Sequence, residues 1–566
     1  MGVAHGAHAG WSPDGVTVRE TSVRIPVVAA CSDGATGTFV AWQESGSDPN
    51  GPLRAQHLLS TGDLDPAWPA DGALASGVLA ARGFLDLVPD RLGGVYACWM
   101  EGPALFVTRI DPTGQVAAGW PASGKSLGPA SSLFGRLKVI EDGSHGSFVG
   151  WVVGSQVVVQ RLGTDGLSAG GWTNGPEVVA PSGPVQAIHF WPDLALGPDG
   201  SVFVSWATWS TDTTVVESGM YLRRLTGAGD NSSGWPAGGI YLGSFRLEVG
   251  LDAGESLASL SPLLGISGDD RGGLFCVLGM IWGADGLAAL DIRLRRLLAD
   301  GQPAPGWPAM GREAMGGEWY GWFWGAGPDG GLGVHPDGLD GALVEHGQVV
   351  LHSPPVTRLY RCTDAGQWSW QLAGLSDGHQ VVAKGDGGAF MAEFHFKGRF
   401  GINTPNAFIA VDQSCQPPGW SPWIERHTEY GLDWFGDIAL APAGDGGVVF
   451  FWSQHRERFG LFARKFSTAG QVTAVEPVRA PGSSPLEHLR FVDGAGIVAR
   501  IELEGGPARL ELFDVGGRRI SSLTLGEAGA VVDVTLPGTE SLAAGLYFVR
   551  LAWEASAAFG RVPVIR

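Results

Sequence analysis

Tryptophan supplies the strongest candidates for ligand binding in this chain of 566 residues, because two of its 23 copies stand outside any repeated pattern. Trp209 and Trp282 lie in the stretches 207–219 and 281–291. We predict these stretches to be unusually long connections between strands. Long loops on a rigid scaffold are where binding sites tend to occur, so both residues are candidate ligand-binding side chains.

A second group of aromatic residues follows in a less regular part of the sequence. Trp319, Trp322 and Trp324 form a dense cluster there. An exposed indole can stack on a sugar ring or contact a protein. These three tryptophans are therefore added to the candidate ligand-binding residues, with packing between strands as the alternative for all five.

Titratable side chains give weaker indications of chemistry. Four histidines lie near strand ends in different repeats and lack the i, i+4 spacing of two ligands on one element; they are His189, His395, His427 and His455. Several aspartates lie in Gly-rich turns that would suit Ca²⁺. No D-x-D-x-D-G loop is present, and ordinary Asx turns explain them. We predict no catalytic residue, no metal site and no cofactor, with Ca²⁺ binding unsupported by a motif.

The five cysteines are scattered along the chain. Cys362 and Cys415 fall in the same turn region of successive repeats, so one disulfide between them is an open alternative.

Repeated phrases must position all these residues. One phrase is a short strand ending in Arg, a Gly turn and then Gly-Trp-Pro; its Trp recurs at 11, 68, 120, 172, 235, 307, 368 and 420. Another is a Gly turn followed by a strand that usually ends in Trp, with copies at Trp42, Trp99, Trp151, Trp206 and Trp452 and degenerate ones at 273–278, 331–334 and 388–393. Such a period, with about four short strands in each unit, indicates a β-propeller.

The predicted fold is therefore all-β, with a propeller of eight blades and seven as the alternative. The strand-ending tryptophans should be buried as wedges between adjacent blades. The segment from Trp11 to Val18 resembles the tail of a repeat, so we expect it to pair in the last blade. That pairing would close the ring and remove two open sheet edges.

Composition limits the classes of partner. The net charge of −20 disfavours nucleic acid and anionic membranes. No apolar run reaches the roughly 18 residues of a membrane span, and residues 1–11 show no signal-peptide pattern. The Pro/Gly/Ser stretch at 481–485 reads as a linker. It divides a predicted propeller at 1–482 from a β-sandwich at 486–566.

The end of the chain carries a more specific pattern. Leu-x-x-Phe-Asp-x-x-Gly-Arg spans 510–518, a Gly-x-Tyr-Phe-Val-Arg-Leu strand spans 545–551, and a basic-aliphatic strand ends the sequence. Segment 508–566 thus resembles the C-terminal sorting domain of bacterial type IX secretion cargo, which is related to the immunoglobulin-like domain of hook-capping proteins. The resemblance implies that Asp514, Gly517, Arg518, Gly545 and Tyr547 belong to a sorting motif read by secretion machinery. It also implies an extracellular or outer-surface location.

The function we expect is non-catalytic. The chain would be a secreted or cell-surface binding or scaffold protein with a glycan or protein partner, carried by a propeller with a sorting domain. The alternative is an extracellular enzyme acting on polysaccharide or glycan. Carboxylates and arginines converging at the propeller axis would favour the enzyme, since fold alone does not decide function.

Overall fold

A computed structural model describes most of the chain, and every regular element in the described part is a β-strand. The fold is all-β, as the sequence predicts. The chain divides into two compact units, Met1–Val475 and Glu476–Arg566. The described residues are 11, 15–45, 51–76, 85–130, 137–172, 175–180, 187–211, 215–248, 263–269, 271–284, 287–315, 318–319, 332–348, 356–375, 379–393, 407–411, 435–455, 459–466, 486–492, 496–502, 508–513, 519–525, 531–543, 545–553 and 556–564. The predicted linker at 481–485 lies outside them, so the boundary at 482 stays a prediction.

The larger unit is built from antiparallel sheets, and its first strand, β1 (Val16–Thr21), joins the last of them. Sheet 1 contains β2 (Arg24–Ser32), β3 (Thr38–Ser45), β4 (Leu53–Leu58) and β5 (Ala73–Ser76). Sheet 2 contains β6 (Leu85–Pro89), β7 (Val95–Glu101), β8 (Ala104–Ile110) and β9 (Lys125–Pro129). Sheet 3 contains β10 (Lys138–Glu141), β11 (Ser147–Val153), β12 (Gln156–Leu162) and β13 (Glu177–Ala180).

The next two sheets contain longer strands. Sheet 4 contains β14 (Ala187–Leu196), β15 (Val202–Thr211), β16 (Val215–Leu225) and β17 (Ile240–Glu248). Sheet 5 contains β18 (Leu263–Gly268), β19 (Leu274–Ala284), β20 (Leu287–Leu297), β21 (Arg312–Met315) and the short β22 (Glu318–Trp319).

Three sheets complete the unit. Sheet 6 contains β23 (Leu332–Pro336), β24 (Ala342–Gln348), β25 (Val356–Cys362) and β26 (Trp368–Leu375). Sheet 7 contains β27 (His379–Ala383), β28 (Ala389–Glu393) and β29 (Ala407–Val411). The closing sheet contains β30 (Phe435–Pro442), β31 (Val448–His455) and β32 (Phe459–Phe466), with β1 as its outer strand.

The first strands of these sheets form a ring, which is the arrangement of a β-propeller. Each of them contacts the next, and the last contacts the first; in order they are β2, β6, β10, β14, β18, β23, β27 and β30. A fourth strand of sheet 7 would fall in 412–434, outside the described residues. The number of blades, eight with seven as the alternative, therefore stays a prediction.

One repeat assignment is wrong. The degenerate copy expected at 331–334 falls on β23, the first strand of sheet 6. The strand equivalent to the other copies is β24, which follows the turn from Asp337 to Gly341. The two stretches resemble each other because both place a glycine before a short aliphatic run.

The strand-ending tryptophans are buried between sheets, as predicted. Each is 3% exposed or less; they are Trp42, Trp99, Trp151, Trp206 and Trp452. Trp42, for example, shares a core with Ala439 and Phe451 of the closing sheet, and Trp99 shares one with Phe39 of sheet 1. Because a single sheet would leave one apolar face in water, these shared cores are what makes the stack of sheets stable.

The other tryptophan, that of the Gly-Trp phrase, fastens six of the sheets to the sheet that follows. Its indole N–H donates to a backbone carbonyl in the following sheet at 2.8–3.2 Å; the donors are Trp11, Trp68, Trp120, Trp172, Trp235 and Trp307. In sheet 6 the indole nitrogen of Trp368 has no hydrogen-bond partner within the described residues. In sheets 1 to 5 the ring packs on an aromatic residue of its own sheet, as Trp120 does on Tyr96 with centroids 5.9 Å apart. We call this contact the tryptophan latch.

The N-terminal segment closes the ring, as predicted. Strand β1 pairs antiparallel with β32 from Val16 opposite Ala463 to Thr21 opposite Phe459. Trp11 makes the latch to sheet 1, and Arg19 of β1 bonds Glu44 of β3 at 2.7 Å. Covering and pairing an edge strand in this way removes an aggregation-prone edge.

The smaller unit consists of two antiparallel sheets around its own apolar core. One sheet has the order β33 (Leu486–Val492), β34 (Gly496–Glu502), β37 (Val531–Thr535). The other has the order β36 (Arg519–Leu525), β35 (Ala508–Phe513), β38 (Gly545–Trp553), β39 (Ser556–Val564).

Removing residues 1–21 should destabilise the larger unit, because both the latch of Trp11 and strand β1 are lost. Loss of one large buried aromatic alone costs about 3–5 kcal/mol. The melting temperature of the truncated chain, measured by calorimetry, should therefore fall clearly. Removal of residues 1–10 is the control and should leave melting unchanged. Equal melting of both truncated chains would show that β1 does not hold the ring closed.

Candidate ligand-binding surface

The stretches 207–219 and 281–291, predicted to be long connections, are mostly paired strands. Trp209 lies in β15 and Trp282 in β19, and each strand continues into an antiparallel hairpin with the following strand. The prediction of long loops is therefore wrong, apart from 212–214 and 285–286, which lie outside the described residues. Pairing prevails because it satisfies the backbone N–H and C=O groups that an open loop would leave to water.

These two hairpins join sheets 4 and 5 into one surface. The end of β17 runs parallel to the end of β19, with Arg246 beside Trp282 and Leu247 beside Gly283. Sheet 5 adds β22, which pairs with β20 at the same end. We call this region, formed by the far ends of β15, β16, β17, β19, β20 and β22, the joined-hairpin surface.

Three of the five candidate tryptophans lie in the joined-hairpin surface. Trp282 and Trp319 occupy strands that flank β20, and Trp209 lies on β15, beyond β16 and β17. Trp322 and Trp324 lie outside the described residues. The backbone thus brings Trp209, Trp282 and Trp319 to one connected sheet, and their part in ligand binding stays a prediction.

A row of aromatic rings crosses sheet 4 next to this surface, and the sequence analysis missed it. Trp206, Tyr221 and Tyr241 stand directly opposite one another on β15, β16 and β17. Trp206 stacks on Tyr221 with centroids 5.6 Å apart, and Tyr221 meets Tyr241 edge-on at 5.7 Å. Tyr241 is 56% exposed. Its only sequence signal is its place a few residues after a Gly-Trp-Pro phrase, which by itself does not distinguish an exposed ring from a packed one.

The arginine of the repeated phrase has a structural role in most sheets, because it bonds to an aspartate in the turn before the second strand. In sheet 2, one carboxylate oxygen of Asp90 accepts the N–H groups of Leu92 and Gly94, each at 2.7 Å. The other oxygen accepts Nε of Arg109 at 2.8 Å. The same pair recurs in other sheets as Asp142 with Arg161, Asp269 with Arg296, and Asp337 with Arg361, at 2.8–3.0 Å. We call this pair the turn clamp.

The turn clamp could have been found in the sequence. An Asp stands four residues before the Gly that launches the second strand, and its carboxylate is suited to closing such a turn. The Arg was noted as part of the repeat, but its partner was not. In several sheets the guanidinium also lies over an aromatic ring, as Arg296 does over Phe275 at 5.2 Å.

Sheet 1 has a histidine in place of the arginine. His57 Nε2 lies 3.2 Å from Asp33, the turn aspartate, and its Nδ1 lies 2.8 Å from Asp65. The ring stacks on Phe39 with centroids 4.5 Å apart and lies beside Trp68. Sheets 2 and 3 have alanine, Ala117 and Ala169, at the place of Asp65, so the shorter histidine is held by an additional carboxylate.

This contact shifts the protonation of both partners. Burial alone would lower the pKa of His57, but the hydrogen bonds and charges of Asp33 and Asp65 outweigh it and raise that pKa. Burial alone would raise the pKa of Asp33, but the hydrogen bonds from His57, Ala35 and Gly37 lower it. The clamp of sheet 1 therefore depends on pH, whereas an arginine clamp keeps its charge.

Carboxylates on the first strands of three sheets bridge neighbouring sheets. Asp86 of β6 accepts the N–H of Val139 in β10 at 3.1 Å, and Asp193 of β14 accepts that of Ile266 in β18 at 2.9 Å. Asp437 of β30 does the same for Val28 of β2 at 2.9 Å across the closing seam. Each of these carboxylates thus bonds to the backbone of the first strand in the following sheet.

The candidate sorting residues fall in the smaller unit. Asp514, Gly517 and Arg518 lie outside the described residues, and Gly545 begins β38. Tyr547 is buried, and its hydroxyl donates to the carbonyl of Ala543 at 3.0 Å. This contact ties the start of β38 to the chain just before it, so Tyr547 has a role in the fold of this unit.

Cys362 is buried in sheet 6, and burial raises the pKa of its thiol to about 12. Cys415 lies outside the described residues, so a disulfide between the two stays an open alternative.

The described residues include neither a metal-holding group nor a membrane-spanning helix. Among these residues, no group of three or more His, Cys, Asp or Glu side chains is arranged to hold a metal ion. None of their elements is a helix of the length and apolarity needed to cross a membrane.

No protein family matches this sequence, and no curated protein is similar to it at the sequence level. Among solved structures, prolyl oligopeptidase B from Galerina marginata has 11% identity and a TM-score of 0.35, over 77% of this chain and 56% of that one. The chain thus spans little more than half the length of that relative. A protein of unknown function from Dyadobacter fermentans has 12% identity and a TM-score of 0.29, over 68% and 94%.

An α-L-arabinofuranosidase from Fusarium graminearum has 8% identity and a TM-score of 0.28, over 63% of this chain and 95% of that one. Similarity at these levels carries no argument about the activity of this chain.

Replacing His57 by Gln should destabilise the larger unit in a pH-dependent way. Because the folded pKa of His57 is raised, its contribution is complete below the unfolded value near 6.5 and is lost as pH rises through the folded value. Near pH 5.5 the substitution should lower the free energy of unfolding by about 1.5–3 kcal/mol, the usual range for hydrogen bonds to charged groups. Chemical denaturation of the unaltered protein and of the variant at pH 5.5 and 9 measures this effect. The difference in the free energy of unfolding between the two proteins should be smaller at pH 9.

Arg109→Gln is the matched control for this experiment, since it removes the arginine of an ordinary turn clamp. Its cost should be the same at pH 5.5 and 9. A His57→Gln cost that is equally independent of pH would contradict the titrating clamp.

Proposed function

We propose that this chain is a non-catalytic binding protein whose propeller presents the joined-hairpin surface to a glycan or protein partner. The observation that carries the proposal is the parallel pairing of β17 with β19, which joins two sheets into one surface containing Trp209, Trp282 and Trp319. Paired backbone makes such a surface rigid, and rigid scaffolds lose little entropy when a ligand binds. Binding of this kind needs no cofactor.

The use of the charged residues supports the same proposal. Carboxylates on β6, β14 and β30 bond to backbone groups of neighbouring strands, and those in the turns bond to arginines. Each of these interactions stabilises the scaffold. Recognition would then depend mainly on aromatic rings, as it does in many sugar-binding sites.

A glycan array tests this function. The whole chain should bind at least one glycan class, and the double variant Trp209→Ala with Trp282→Ala should lose most of that binding. Removing an aromatic anchor from an interface commonly costs about 2 kcal/mol or more, roughly a 30-fold loss of affinity. The control is Leu74→Ala, which alters an exposed side chain in β5 of sheet 1. This variant should bind normally.

Two outcomes would count against this function. Undiminished binding by the double variant would place the site elsewhere. Release of shorter sugars from a bound glycan would identify the chain as an enzyme acting on polysaccharide.

We further propose that 486–566 is an immunoglobulin-like sandwich that serves as a sorting or anchoring module at the outer cell surface. The order of its strands, β33-β34-β37 and β36-β35-β38-β39, supports an immunoglobulin-like arrangement. The hydroxyl of Tyr547, bonded to the backbone just upstream, resembles the tyrosine corner of such domains. The resemblance of 508–566 to type IX cargo supports recognition by secretion machinery and an extracellular location.

A fusion of residues 476–566 to a folded reporter behind a signal peptide tests the sorting role. In a bacterium with type IX machinery, the reporter should reach the cell surface, as measured by protease accessibility on intact cells. Arg518→Ala, within the motif, should reduce surface display several-fold, whereas the exposed Arg509→Ala should not. A reporter that stays in the periplasm with the unaltered module would remove the sorting role.

A further inference from the structure

Tyr241 stands at the outer rim of the seam between sheets 3 and 4. It lies directly opposite Tyr221 on β16, and Tyr221 packs against the core that sheet 4 shares with sheet 3. Because directly opposite residues share one face of a sheet, the ring of Tyr241 lies on the face toward sheet 3. This ring is 56% exposed, yet Tyr221 holds it edge-on and itself stacks on the buried Trp206. The rim therefore presents a supported aromatic ring to solvent.

The fold does not require an aromatic ring at this place. The equivalent residue of sheet 1 is Leu74, which stands opposite Arg54 of β4 and is 51% exposed. In sheet 3 it is Val178, which stands opposite Val158 of β12 and is 37% exposed. Aliphatic side chains thus satisfy the same position in the repeat, so packing alone does not explain the tyrosine of sheet 4.

A buried arginine lies beside the ring of Tyr241. Arg223 follows Tyr221 by two residues on β16 and so lies on the same face of sheet 4. It is a diagonal neighbour of Tyr241, and such neighbours in a sheet are about 7–8 Å apart. Its Nε donates to Asn231 at 2.9 Å, and one terminal nitrogen donates to the carbonyl of Val179 in sheet 3 at 3.0 Å. These bonds fix the guanidinium across the seam.

A carboxylate faces the same seam from sheet 3. Glu177 of β13 stands opposite Val159, whose side chain belongs to the core shared with sheet 4. Glu177 is half-buried, and the described residues make no hydrogen bond to its carboxylate. Burial lowers the pKa of Arg223, and Glu177 is close enough to oppose that shift. An aromatic ring, a guanidinium and a carboxylate thus border one stretch of the rim.

This combination suits a ligand with an apolar face and a rim of hydroxyl groups. A hydroxyl both donates and accepts hydrogen bonds, so it can bond to a carboxylate and to a guanidinium. A ligand carboxylate, in contrast, would be repelled by Glu177, and a ligand ammonium would be repelled by Arg223. A neutral pyranose with equatorial hydroxyls has apolar C–H faces, and the ring of a tyrosine offers a matching apolar surface.

We propose that the outer rim of the seam between sheets 3 and 4 is a subsite for one neutral pyranose residue of a glycan. The ring of Tyr241 stacks on the C–H face of the sugar. One hydroxyl donates to the carboxylate of Glu177, and another accepts from the second terminal nitrogen of Arg223. The subsite deepens the proposed glycan-binding function and rests on it.

Strand β17 connects this subsite with the joined-hairpin surface. Arg246, which lies beside Trp282 in that surface, follows Tyr241 by five residues. In an extended strand this separation is roughly 16 Å, a length that a short oligosaccharide can span. One glycan chain can therefore contact both places.

Cellotetraose, a neutral chain of β-linked glucose with equatorial hydroxyls, is the probe, and titration calorimetry of the whole chain should detect its binding. Tyr241→Leu gives sheet 4 the side chain that sheet 1 has, so the melting temperature should not change. The same variant should weaken binding at least about tenfold, because the stacking ring is lost. Tyr241→Phe keeps the ring and should bind within about twofold of the unaltered chain.

The polar side of the subsite has its own variant. Glu177→Gln should weaken binding of cellotetraose several-fold, because a charged acceptor makes a stronger hydrogen bond than a neutral one. Leu74→Ala alters the equivalent place of sheet 1 and is the matched control, which should bind normally.

The failures of the subsite and of the broader function can be told apart. Undiminished binding of cellotetraose by Tyr241→Leu, or tighter binding of oligogalacturonate than of cellotetraose, overturns the subsite. If cellotetraose fails to bind but another glycan binds and depends on Trp209 and Trp282, the subsite falls and the proposed function stands. If neither cellotetraose nor any glycan of the array binds, both proposals fall.

Discussion

The tryptophan latch is the contact on which the ring of sheets depends. The indole both donates to a carbonyl of the next sheet and rests on a glycine there. A Cβ on Gly114 would come within 3.0 Å of the Trp68 ring, and one on Gly166 would come equally close to Trp120. Both glycines have positive φ, at 69° and 75°, which other residues adopt only with strain. The rings of Trp11, Trp172 and Trp235 likewise lie against Gly62, Gly229 and Gly301. In these repeats the tryptophan therefore needs a glycine in the next sheet.

This coupling explains which features could be predicted from the sequence. A latch needs a large ring and a glycine in the next sheet, so its residues recur even where the strands between them vary in length and sequence. The closure by the N-terminal segment could be predicted for the same reason, since Trp11 carries the latch without a preceding strand of its own sheet. Burial of Trp42 and its equivalents follows from their common place at the end of the second strand.

Features that depend on departures from the repeat were missed or misplaced. The sequence predicts loops where the hairpins with Trp209 and Trp282 lie, because these stretches match no other unit. Their parallel pairing through Arg246 and Trp282 joins segments of two sheets that no local pattern relates. The misplacement of the second strand of sheet 6 has a similar origin. That strand ends without a tryptophan, so the only remaining signal was a glycine before aliphatic residues.

The repeat also supplies a standard against which single positions can be judged. At the turn clamp, the exchange of arginine for His57 is matched by the appearance of Asp65, so the change is compensated within the sheet. At the third-strand position, Arg223 is compensated by Asn231 and two carbonyls, but Arg295 is not. A departure that the fold compensates has a structural explanation. Arg295 is a departure of the other kind, because its Nε has no hydrogen-bond partner among the described residues.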